Sequence, residues 1–277
     1  MKIPTRTLII RLLSLVAVIT AWELYGRTVN PILFTYPSAI AAAFAELVAN
    51  GELQSYLGQS LHVLLWSSLL SVAVGIPLGV LTARFPTAEL ATDLYINALY
   101  STPMVALVPL IVLWVGFKVP AKVVIVFLFM VFPILINTQQ GVKNVDRGLL
   151  EVARSFCSTE RRLWADLILP SALPFIAAGL RLAIGRGLVG MVIAEFYTSI
   201  AGLGYMIVRY ANSFETAKLF VPIVVLMAMG VLLVQGARAL ELWIAPWQRP
   251  DRGENPLQAD TRVRRGGRRL KQQGGEQ

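Results

Sequence analysis

The sequence predicts an all-α polytopic membrane protein with six transmembrane helices and one folded cytoplasmic loop. Three observations carry this. Of the 277 residues, 56% are hydrophobic and 15% charged, against about 45–50% and about 25% in soluble domains. The apolar residues fall in runs close to the length that crosses about 30 Å of hydrocarbon. Between two of those runs, the polar segment 148–170 carries its own helical periodicity instead of a loop composition.

The runs are taken in order, as parts of a transmembrane domain over 1–245. The first covers 8–25. Lys2 and Arg6 precede it as in a secretory signal, but no small-x-small cleavage site follows, and Trp22, Glu23 and Tyr25 close it. This predicts an uncleaved span with an aromatic anchor. Residues 39–49 form a helix too short to span, with Ser38 as the expected cap. The second span is 61–83. Residues 88–99 read as an amphipathic lead-in, with Glu89 and Asp93 on one face, to a third span at 100–115. The fourth, fifth and sixth spans are 121–137, 172–196 and 219–240. The segment 246–277 is rich in Arg, Gly and Gln and is expected to be a disordered basic tail.

Two stripes of small residues lie within the spans. Ser71, Gly75, Gly79 and Ala83 recur every four residues, as do Gly179, Ala183 and Gly187, with Gly190 beside them. Such stripes let another helix approach closely. The neighbour is either a helix of the same chain or a wall at a subunit interface or substrate pathway. Pro77 predicts a kink within the first stripe. Arg186 and Glu195 are charges in the fifth span. They lie about 13 Å apart along the axis and out of phase, so they cannot pair within one straight helix. Each needs a partner elsewhere or water.

The single Cys157 excludes an intrachain disulfide and a zinc site built on several thiolates, and no metal site is expected. The single His62 reads as a packed or interfacial side chain. The formal charge of +9 does not point to nucleic acid, since no fold or aromatic platform accompanies it. Its tail portion suits contact with anionic lipid. With the N-terminus inside, ten Lys and Arg before the tail fall on the inner side and five on the outer, apart from Arg181 and Arg186 within a span. The positive-inside rule then places both termini and the Glu151 loop in the cytoplasm.

Within that loop, Leu149, Val152, Ala153 and Phe156 recur at three- and four-residue steps and define one apolar face. Glu151, Arg154 and Ser155 lie elsewhere on the same helix. After Cys157, Ser158 is the expected cap of a second short helix, with Glu160 in its first turn. Leu163 with Leu167, and Trp164 with Ile168, give that helix its apolar face. The product is a helix-turn-helix elbow on the inner membrane face, shaped to dock a soluble partner.

The segment Glu151-Val152-Ala153, then Cys157, then Ile168-Leu169-Pro170 resembles the EAA loop of ABC-transporter permease subunits. So do Leu173-Pro174, Ala178-Gly179-Leu180-Arg181-Leu182, Ala194-Glu195-Phe196 and Gly202-Leu203-Gly204-Tyr205. The stretch from Thr102-Pro103-Met104 to Val115-Gly116-Phe117 resembles the nitrate/sulfonate/taurine-like subgroup. Val152 stands for the first alanine of the pattern and Cys157 for its glycine, a position where a Cβ costs roughly 1 kcal/mol or more in a left-handed turn.

The resemblance implies a type I importer permease in the bacterial inner membrane, working as a pair that is expected to be a homodimer. It implies a coupling loop at about 147–170, in which Glu151, Val152, Ala153, Arg154, Ser155 and Cys157 meet cytoplasmic ABC ATPases. An extracytoplasmic solute-binding protein delivers the substrate, of nitrate, sulfonate, taurine or thiamine-precursor type. Pro103, Met104, Arg186, Gly190 and Glu195 are candidate pathway residues. The chain holds no G-x-x-x-x-G-K-[ST] phosphate loop. It is expected to be non-catalytic and to bind no cofactor, with ATP and magnesium belonging to the partner. A secondary transporter would show an internal repeat and would leave the elbow unexplained. A membrane enzyme would need paired carboxylates, a His cluster or a nucleophile with its base.

Overall fold

The computed structural model describes residues 5–198 and 200–244. Lys2 and the basic segment 246–277 lie outside the described residues. The regular structure of the described residues is all helical, in the order α1 (Thr5–Thr28), α2 (Pro37–Ala49), α3 (Glu52–Arg84), α4 (Pro86–Ser101), α5 (Met104–Val115) and α6 (Val119–Lys143). There follow α7 (Arg147–Ser155), α8 (Glu160–Arg162), α9 (Leu169–Thr198), α10 (Leu203–Asn212) and α11 (Thr216–Ile244). A π-helical stretch, Leu163–Ile168, joins α8 to α9. Pro170 explains the widening. It has no N–H to offer the carbonyl four residues back, and its ring needs room there.

Five of these helices are each long and apolar enough to cross a membrane, and the count reaches six when the pair α4 and α5 is taken as one. That pair is bent by 99°, so the third span predicted at 100–115 is not one straight rod. Pro103 is the cause. A residue before proline is driven out of the helical region, and Thr102 sits at φ −69°, ψ 133°. Its backbone N–H and its hydroxyl both donate to the Ala98 carbonyl and close α4. Phe85 before Pro86 makes the break between α3 and α4 in the same way.

The core lies around α6, which is packed by α3 on one side and α9 on the other. Both small-residue stripes face it, so their close approach is to a helix of the same chain. A Cβ on Gly79 would sit 2.6 Å from the Leu135 carbonyl oxygen, and one on Gly187 would sit 2.6 Å from Met130 Sδ. Ile125, Val126, Met130 and Ile134 of α6 are fully or almost fully buried. Pro77 lies inside the unbroken helix α3.

At one end of the bundle, the Trp22 indole donates to the Thr35 carbonyl at 2.9 Å. Ser38 does not cap α2. That helix starts at Pro37, and the Ser38 hydroxyl instead donates to Glu23 at 2.7 Å. His62 accepts from the Trp66 indole at 2.9 Å.

Candidate functional site

The elbow forms at the opposite end. Asp146 caps α7, its carboxylate accepting from the backbone N–H of Gly148 at 2.7 Å and of Leu149 at 3.2 Å. The second helix is capped by Thr159, not by Ser158 as expected, since it is the Thr159 hydroxyl that faces the Arg162 N–H. Between the helices, Cys157 has φ 55°. Its N–H donates to the Arg154 carbonyl and the Ser158 N–H to the Ala153 carbonyl, the paired bonds of a Schellman turn. The left-handed turn that glycine would favour is therefore kept with a Cβ in place.

The packed face of α7 differs from the predicted one. Leu150 and Ala153 rest on a small core that includes Val142, Val145, Leu163 and Ile168. Leu149, Val152 and Phe156 are exposed, Phe156 by 82%. The three exposed side chains form a ridge of apolar tips along the unpacked side of α7. Glu151, Arg154, Ser155 and Cys157 are exposed around that ridge. Two contacts of Arg84 tie the elbow region to the spans. Arg84, at the end of α3, lies over the Trp164 ring at 4.8 Å and 3.8 Å from Glu160. Lys143, at the end of α6, pairs with Glu89 of α4.

A second feature is a cleft of about 430 Å³ between the bend of α4 and α5, α6 and α9. Met104 and Arg186 line it together with Tyr100, Phe129 and Phe132. Pro103 caps α5 at its rim. Gly190 lies behind the wall, where a Cβ would meet the Phe129 ring at 2.7 Å. The Arg186 guanidinium donates to the Tyr100 hydroxyl at 2.8 Å and lies 4.6 Å from the centre of that ring.

Glu195 is not in the cleft. It is fully buried, and its carboxylate accepts from the Ser60 hydroxyl at 2.7 Å and from the Gly204 N–H at 2.7 Å. Ser60 in turn accepts from the Leu203 N–H at 2.8 Å. The Lys122 ammonium, also buried, donates to the Ala201 carbonyl at 2.6 Å and interacts electrostatically with Glu195. Gly202, at φ +104°, leaves the space that the carboxylate fills. The network holds the start of α10 against α3, α6 and α9. The far end of α10 is held by Tyr210, whose hydroxyl donates to Glu52 at 3.0 Å. Burial, then the Glu52 carboxylate, pushes the Tyr210 phenol up to about 12.

The residues missed from the sequence are Asp146, Thr159, Tyr100, Ser60 and Lys122. Asp146 was findable, since an Asp ahead of an apolar-periodic segment is a cap signal. Lys122 is one of the five cations that the positive-inside count assigns to the outer side. Nothing local marks Ser60 or Tyr100, whose partners are 135 and 86 residues away.

Comparison with known proteins completes the picture. Residues 75–248 match the model of the binding-protein-dependent transport system inner membrane component family, and the chain belongs to that family. It is similar to the Bacillus subtilis (strain 168) permease protein SsuC, named for aliphatic sulfonates transport, with 33% identity over 233 residues, 83% of this chain and 84% of that one. It is 30% identical over 229 residues, 82% of this chain and 91% of the relative, to the formylaminopyrimidine transport permease protein ThiX of Halalkalibacterium halodurans. The fold matches an amino acid ABC transporter crystallised with histidines, with a TM-score of 0.54 and 19% identity, over 73% of this chain and 97% of that one. The chain is thus the transmembrane permease subunit of an ATP-driven ABC importer, a multi-pass inner-membrane protein of a system that includes an ATPase and a binding protein.

Proposed function

We propose that the elbow is the element through which the ATPase moves this permease, and that the cleft is part of the substrate path. One observation carries the first half: the ridge of Leu149, Val152 and Phe156 stands exposed at the end of the molecule, ringed by Glu151, Arg154, Ser155 and Cys157. An exposed apolar ridge with a polar rim is the anatomy of a protein interface. Movement of the elbow reaches the spans through Arg84 and Trp164, and through the unbroken run from Glu160 to Thr198. ATP and magnesium belong to the ATPase, and this chain carries no catalysis of its own.

Both termini and the elbow face the cytoplasm, on the asymmetry of Lys and Arg. The path runs past Met104, Pro103 and Arg186, with Gly190 letting Phe129 lie close to α9. Glu195 holds the other end of α9 in place. The exposed apolar faces of α4 and α5, with Leu94 73% and Trp114 73% exposed, suit a second copy of the chain, and α1 suits lipid or that same copy. The substrate is a small solute handed over by the binding protein.

The test is Glu151→Lys. A carboxylate on the ridge offers a partner a charge-assisted hydrogen bond, and truncating one side of a buried charged pair costs about 2–5 kcal/mol at interfaces. The variant should insert at the normal level, lose co-purification of the ATPase and lose uptake. Glu151→Gln should be milder. Near-normal uptake with the ATPase still bound would overturn the docking role. Single cysteines at Ser38 and Ser158, in a Cys157→Ser background, report orientation. An impermeant reagent on intact cells should label only the first.

A further inference from the structure

We infer that the cleft selects a small organic anion, an oxyanion head on a short apolar tail, and that Arg186 is the residue that sets this charge preference. The inference rests on the cleft being part of the substrate path and adds the chemical class of what passes.

The position of Arg186 comes first. It lies roughly 25 Å along the axis from the start of α9 at Leu169 and roughly 18 Å from its end at Thr198, well inside the span. A cation at that depth is costly, and such residues pair with one another or face a substrate or ion path. The other three cations of α6 and α9 have acids, and Lys143, at the end of α6, pairs with Glu89. Arg181 lies 3.2 Å from Glu241, and Lys122 interacts with Glu195. Arg186 has no described carboxylate within ion-pairing distance. Its hydrogen bond goes to a neutral phenol.

The hydrogen-bonding capacity of the cleft comes next. A guanidinium has five N–H donors and no acceptor, and the bond to Tyr100 uses one. Tyr100 accepts that bond, which leaves its own O–H proton free to point into the space. The Thr102 hydroxyl is already spent on the Ala98 carbonyl. The cleft therefore presents several unused donors and a full positive charge on one side. The other walls are Met104, Leu128, Phe129, Phe132 and Val189, which offer no competing acceptor from a side chain. A planar fork of donors matches a carboxylate or sulfonate bidentately. The apolar walls reward a tail that an inorganic ion lacks. A neutral solute of the same shape would leave the guanidinium without a counter-charge. About 430 Å³ accommodates a small ligand with such a tail.

The test uses the full-length chain with its ATPase in lipid nanodiscs. Saturation-transfer NMR, suited to weak ligands, measures binding of ethanesulfonate, propionate and the uncharged ethyl methyl sulfone. The expected result is saturable binding of at least one anion and at least about tenfold weaker binding of the sulfone. The stronger of the two anions identifies the head group. Arg186→Gln should lose about tenfold or more for the anion and leave the sulfone unchanged, while Arg186→Lys should keep the preference for charge. Equal binding of sulfone and anion by the unaltered chain would overturn the inference, as would an Arg186→Gln variant that binds the anion normally. If Arg186→Gln does not fold, the anion-against-sulfone comparison on the unaltered chain decides. ATPase co-purification is scored in parallel. A complex that assembles but shows no charge preference rejects this inference alone, whereas a chain that recruits no ATPase rejects the permease reading beneath it.

Discussion

Helix α9 carries two charges nine residues apart, and their surroundings are opposites. Glu195 is enclosed, with a hydroxyl, a backbone N–H and the charge of Lys122 converging on it. Arg186 faces an open cleft and has one neutral partner. Burial, saturation and a counter-charge mark Glu195 as part of the framework. Exposure to a cavity, spare donors and no counter-charge among the described residues mark Arg186 as a group whose partner arrives from outside the fold. Two charges that look alike in the sequence are separated by whether the folded chain completes their bonding.

The contrast can be broken from the Glu195 side first, where the largest effect is expected. Glu195→Leu leaves the Ser60 hydroxyl and the Gly204 N–H without their acceptor and Lys122 without its counter-charge, and removing one partner of a buried pair costs about 3–5 kcal/mol. Expression should fall sharply and detergent-solubilised protein should unfold well below the temperature of the unaltered chain. Normal yield and melting would show that Glu195 is dispensable to the framework.

Gly202→Ala should come next. The added Cβ collides with the Glu195 carboxylate, and the residue would have to hold φ +104°. A loss of about 2–4 kcal/mol is expected from overpacking and backbone strain together. Melting of Gly202→Ala alone and combined with Glu195→Gln checks whether the two share one site, in which case the losses should not add.

Arg186→Gln sharpens the other side of the comparison. Its melting should stay within about 0.5 kcal/mol of the unaltered chain, the range of surface changes, while uptake falls. Destabilisation comparable with Glu195→Leu would make Arg186 a framework residue as well.

The smallest effect lies at the elbow. Cys157→Gly relieves a left-handed residue that carries a Cβ, worth roughly 1 kcal/mol. Hydrogen exchange should slow at the last turn of α7, with uptake retained. Faster exchange there would mean that the Cys157 side chain contributes more than its backbone costs. Phe214 occupies the same kind of turn at φ 56° after α10, and Phe214→Gly offers a control far from the elbow.

Much of the fold was legible because its causes are local. Apolar runs of membrane-crossing length mark the spans. Three- and four-residue periodicity marks the elbow, and Pro103 marks the end of α4. Periodicity predicts two short helices with a turn at Cys157; the first helix and the turn fold so, while the second runs on through Pro170 into α9 without a break. Its face was misassigned because periodicity groups Leu149, Val152, Ala153 and Phe156 without saying which side meets Val142 and Leu163. The cap was placed at Ser158 because adjacent Ser and Thr give the same local signal, and only the backbone at Thr159 separates them.

By itself, then, the sequence determined that this chain is a helical membrane protein of the ABC permease kind. Hydropathy, capping and proline chemistry act over a few residues and are written in consecutive letters. The tertiary structure alone decided which small-residue stripes meet α6, that Lys122 is buried, and that Glu195 is satisfied while Arg186 is not. These depend on residues as far apart as Ser60 and Glu195, 135 positions along the chain. No local pattern encodes such a contact, since its energy exists only once α3, α6 and α9 have packed.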